Sequence, residues 1–143
     1  MNTATFRTNL KTLLDARPGL DATVEKYPPG NRGTSAPTLF IGTISVENTD
    51  GTLLPSSTLD RTYTVNGGGW AGGAGASDAK WAAAETIVNS MMTELEAQCV
   101  EDQTINGVCT QARLLRWESG VTQEPDGSVY FGVDWVLNIR DIS

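Results

Sequence analysis

In "SVYFGVDWVLNIRDI", residues 128–142, Val129, Phe131, Val133, Trp135, Leu137 and Ile139 take every second position without a break. Tyr130, Gly132, Asp134, Asn138 and Arg140 fill most of the others. A period of two places the first set on one side of a strand, so the chain must bury one face of a long strand against something apolar. Just upstream stands "EPDG", residues 124–127. It fits a type I turn with Pro125 second, Asp126 third and a left-handed Gly127 closing a bulge. A hairpin on that turn sets Trp117 opposite Trp135 and Leu115 opposite Leu137 on the core face. It also sets Glu118 opposite Asp134 on the solvent face.

The rest of the chain supplies what that face can pack on. Residues 4–17 place Phe6, Leu10, Leu13 and Leu14 at helical spacing, and Pro18-Gly19 stops the helix. "ATVEKYPPGNRGTSAP" predicts a short strand at Val24 and then a loop. "TLFIGTISVEN" reads as a strand with Phe40, Ile44 and Val46 on one face, and "LDRTYTVN" as another with Tyr63 and Val65 together. Ser77 is suited to cap a helix running to about Cys99. Its apolar stripe is Trp81, Ala84, Val88, Met91, Leu95 and Cys99, with Lys80, Glu85, Asn89, Glu94 and Glu96 behind. The 143 residues therefore read as one domain of the α+β class. Its sheet is mostly antiparallel, with two helices packed on it and a C-terminal β-hairpin.

Between the third strand and the long helix, "VNGGGWAGGAG" contains a literal G-x-G-x-x-G at Gly67, Gly69 and Gly72. A dinucleotide site needs a parallel βαβ crossover and an acidic residue about 20 positions further on. Here the strand after the helix enters an antiparallel hairpin, and its carboxylate, Glu118, arrives far too late. No Gly-Lys-Ser/Thr follows either, so the motif is read as chance in a glycine-dense stretch. The expected alternative is a mobile loop, Gly67, Gly68, Gly69, Trp70, Gly72 and Gly73, in which Trp70 anchors a protein contact. The competing reading folds Trp70 back onto its own sheet.

Composition narrows the chemistry further. There is no His, which removes the commonest general base and metal ligand. A net charge of −7 argues against a sequence-independent grip on nucleic acid. No run approaches membrane-spanning length, and residues 1–20 lack the apolar core of a signal peptide, so folding in a cytoplasm is expected. Cys99 and Cys109 have neither zinc nor redox-motif spacing. They read either as reduced, half-buried thiols or as a small disulfide loop formed in a later oxidising medium. Glu118 and Asp134 read as a solvated face balanced by Arg116. Glu94, Glu96, Glu101 and Asp102 crowd a helix end that disfavours them, which suggests repulsion or an interface.

An N-terminal helix ending in "LLDARPGL", an extended "TVEKYPP", a long Ala-rich amphipathic helix and a C-terminal hairpin follow in order. This layout resembles the tail terminator (tail completion, neck) proteins of long-tailed bacteriophages. The likeness covers most of the chain and rests on element order and size. It implies a hexameric ring that caps the tail tube, ends its polymerisation and joins the head connector, made in the bacterial cytoplasm and working in the virion. It implies no enzymatic activity, catalytic residue, cofactor or metal. An acidic lumen would let DNA slide through unbound. The glycine stretch matches no feature of that family. Two further readings stay open: another tube or connector component of a virion or secretion-like assembly, and a small ligand-binding or enzymatic α+β domain.

Overall fold

In the computed structural model, which describes residues 1–30, 36–48, 59–72, 77–125 and 127–142, Asn2 caps helix α1 (Thr3–Asp15) by accepting from the Thr5 N–H at 3.0 Å. Phe6, Leu10 and Leu14 form its buried stripe. Ser77 stands at the N-cap of helix α2 (Asp78–Glu101), where its sequence places it, without a side-chain capping bond, and the helix buries Ala84, Val88, Met91, Met92, Leu95, Gln98 and Cys99. Between and after the helices run β1 (Thr23–Glu25), β2 (Thr38–Asn48), β3 (Asp60–Trp70), β4 (Gln111–Gln123) and β5 (Val129–Ile142). They form one sheet in the order β1-β2-β3-β5-β4, with β1 parallel to β2 and every other pair antiparallel. The fold is therefore α+β, a mostly antiparallel sheet with two helices packed on it and a C-terminal hairpin.

Register assigns the faces. Val65 pairs with Leu137 and Tyr63 with Ile139. Leu39 and Ile41 lie opposite Gly69 and Gly67. These apolar residues join Val133, Trp135 and both helical stripes in one buried cluster, which defines the inner face. Asn66, Asp134, Glu118 and Arg116 alternate with them on the outer face and are exposed. The hairpin turn is as expected: the Gly127 N–H donates to Glu124 O at 2.9 Å and Gly127 has φ +88, a conformation only glycine adopts without strain. Asp126 lies outside the described residues.

Two bulges depart from the expected pairing. In β4 the register shifts between Leu114 and Arg116, so Leu114, not Leu115, faces Leu137. Leu115 is the extra residue and is 50% exposed. Trp117 does pair with Trp135, yet Trp135 is 1% exposed and Trp117 41%. The expectation that both are core fails because the Trp135 ring lies over Gly67 on β3, away from β4. In β2 a second shift falls between Ile41 and Ile44. Phe40 therefore does not share a face with Ile44 and Val46: it lies opposite Gly68, on the outer side.

Candidate interaction surface

Through Trp70, the glycine stretch is strand rather than loop. Gly67, Gly68, Gly69 and Trp70 complete β3, paired on one side with β2 and on the other with β5. Glycine is a poor strand former, since it loses the most entropy and packs nothing. Neighbouring rings supply the compensation. A Cβ on Gly67 would collide with the Trp135 indole, and one on Gly68 with the Phe40 ring. The Trp135 Nε1 also donates to Gly68 O at 3.2 Å, so the indole is pinned flat on the strand. The missing side chains are thus floors for aromatic rings on both faces of the sheet. Gly67 and Gly69 stand in central ladders, where their backbone groups are unavailable as a phosphate cradle.

Trp70 is 8% exposed and lies against Phe40, ring centroids 6.0 Å apart. The reading that folds it back onto its own sheet is the one observed. Its Nε1 is buried with no hydrogen-bond partner among the described residues. Gly72 accepts from the Phe131 N–H at 3.3 Å, extending the β3–β5 ladder. Gly73 lies outside the described residues.

Three of the crowded acids at the end of α2, Glu94, Glu101 and Asp102, have intramolecular partners. The Arg17 guanidinium reaches Glu94 at 2.6 Å and Glu101 at 2.7 Å, tying the end of α1 to α2. The Arg17 hydrogen bond holds the Glu101 carboxyl below its ordinary range. Asp102 accepts from the Thr104 hydroxyl and N–H and from the Asn106 N–H. Its carboxyl is lowered chiefly by that hydroxyl. These groups shape the turn between α2 and β4, where Ile105, Asn106 and Gly107 all have positive φ. Cys99 and Cys109 are free and buried. Burial pushes the Cys99 thiol up to about 12 and the Cys109 thiol up to about 11, which keeps both protonated and unreactive.

Glu118 and Asp134 face each other on the outer face as the turn predicts. Among the described residues, no group of three or more His, Cys, Asp or Glu is placed to hold a metal ion, and no helix is long and apolar enough to cross a membrane.

Exposed apolar side chains concentrate instead on β4, the edge of the sheet. Leu115, Trp117 and Val121 are 50%, 41% and 58% exposed, and a groove lined by Glu96, Leu114, Leu115, Arg116 and Trp117 runs between this strand and α2. Sequence reasoning missed the surface because it placed Leu115 and Trp117 in the core. A hairpin pattern does not say which arm is the edge; the pairing of β5 with β3 makes β4 the outer arm, with one strand neighbour. A long, apolar, open edge is a liability unless something covers it. No protein-family model matches the chain, and no curated protein matches it.

Proposed function

We propose that this chain is a structural subunit of a bacteriophage tail, a terminator or neck protein that assembles as a ring on the tube end and joins it to the head connector. The single observation that carries the reading is the open β4 edge with Leu115, Trp117 and Val121 exposed along it. An edge of that length suits a strand-to-strand contact, in which the ladder supplies affinity and the side chains supply specificity. The resemblance in element order favours a tail component, and the net charge of −7 favours a ring through which DNA passes without sticking. In this role the chain performs no catalysis and needs no cofactor.

The test adds purified protein to polymerising tail tubes and measures tube length and the ability of the tubes to join heads. Tubes should stop at a defined length and become competent to join. Tubes that keep growing and never join heads would sink the reading.

A further inference from the structure

We propose that, before it meets any other protein, the chain pairs with a second copy of itself along β4, antiparallel about a twofold axis at Ser119. Trp117 of each copy then packs on Val121 of the other.

The hydrogen-bond ladder decides which groups are free. Phe131 directs both backbone groups toward the β3 side: its N–H donates to Gly72 O at 3.3 Å, and its carbonyl accepts from the Ala71 N–H at 3.0 Å. Val121, which faces Phe131, therefore receives no ladder bond from it. Antiparallel pairs alternate between bonded and non-bonded residues, so Trp117, Ser119 and Val121 all turn their N–H and C=O groups outward. Nearer its start the edge is covered, because the Ala112 N–H donates to Gln103 O at 2.7 Å. The opposite edge of the sheet is plugged just beyond β1: the Arg7 guanidinium donates to Ile41 O at 3.0 Å, Gly42 O at 2.6 Å and Lys26 O at 2.7 Å. That edge is blocked beside β1, whereas the outward groups of Trp117, Ser119 and Val121 have no such cover among the described residues.

Symmetry then selects the register. A twofold axis perpendicular to an antiparallel pair sets one residue opposite its own copy. Centring on Arg116 or Glu118 sets like charges face to face, and centring on Gly120 leaves Trp117 opposite the polar Gln123. Centring on Trp117 pairs Val121 with Arg113, beyond the Leu115 bulge, where the outward phase has slipped. Centring on Val121 runs Trp117 against Pro125, which has no N–H to give. Centring on Ser119 satisfies every condition. Trp117 faces Val121 of the second copy twice over, Arg116 faces Thr122, and Glu118 faces Gly120. The paired stretch, 116–122, contains no bulge and matches an ordinary strand in length. The two most exposed apolar residues of this stretch, each standing on the inner side of the sheet, become each other's cover. Such a contact closes on itself and cannot grow into a fibre.

Sedimentation of the purified full chain over a concentration series tests this, and it reads differently from the tube assay, so either idea can fail alone. The wild-type chain should sediment as a dimer. Ser119→Pro removes an outward N–H without touching the internal ladder, so it should sediment as a monomer with an unchanged circular dichroism spectrum. Trp117→Glu and Val121→Lys should each lose the dimer. The double variant should regain it at low salt, because each Glu then faces the Lys of the other copy; within one chain the two positions are too far apart along the strand to pair. A wild-type monomer at every concentration, an assembly that Ser119→Pro leaves intact, or a double variant that stays monomeric would overturn the proposal.

Discussion

Gly67 and Trp135 occupy one volume between them, and only a hydrogen side chain leaves room for the indole. Adding a methyl at Gly67 forces the ring off the strand and breaks its bond to Gly68 O. Gly67→Ala should therefore cost about 1–3 kcal/mol, the usual range for overpacking a filled site. Gly120, where an added Cβ meets nothing within 4 Å, is the control, and Gly120→Ala should leave the urea midpoint nearly unchanged. The facing tryptophans separate in the same way. In a Ser119→Pro background, which removes self-pairing, Trp135→Ala opens a cavity in the core and should cost about 3–5 kcal/mol, whereas Trp117→Ala, exposed in the single chain, should stay within about 1 kcal/mol. Equal losses at the two positions would mean that Trp117 is core after all. None of this was legible from the glycines themselves. Their composition signals a loop, and the rings that rescue them come from β2 and β5, far away in sequence.

Elements with an unbroken period were legible, and elements with an inserted residue were not. β5 carries an apolar residue at every second position from Val129 to Ile139, so its buried face could be read directly. The stripes of α1 and α2 were equally plain. The bulges at Leu115 and beyond Ile41 leave no compositional mark, because one extra residue shifts every later side chain to the other face without changing the pattern on either side. That slip is why Leu115 and Phe40 were misplaced; Trp117 keeps its expected partner Trp135 and is exposed because it stands on the edge strand. Contacts between elements were also hidden. Glu94 reads as the solvent side of α2, but Arg17 claims it across the helix pair. Arg17→Ala should raise amide exchange at the end of α1 while leaving the amides of β5 protected. Uniform loss of protection would mean the pair stabilises the whole fold rather than one helix end.

At the scale of the whole molecule, the first residue is bound to one near the end. The Met1 ammonium lies 2.6 Å from Asp141 and within 3.3 Å of the Tyr63 hydroxyl. The Asp141 hydrogen bond, the largest influence, raises that amine above its ordinary value of 8.0. Folding thus holds a proton that the unfolded chain releases. The contact contributes fully below pH 8.0 and fades as the pH climbs through the raised value. Asp141→Asn should flatten the fall in stability just above that pH; an unchanged slope would assign it to other groups. The strand order has a kinetic counterpart. β5 lies between β3 and β4, yet the ribosome makes it after both. A chain stalled before Val129 has its helices and the β2–β3 pair, but no strand to pair with β4. Such a nascent chain should be cut readily by protease and become resistant only once β5 emerges. The interval between the synthesis of β4 and of β5 is thus when Trp117 and Val121 sit on a strand with no other strand beside it, and it is the interval in which a chaperone has most to hold.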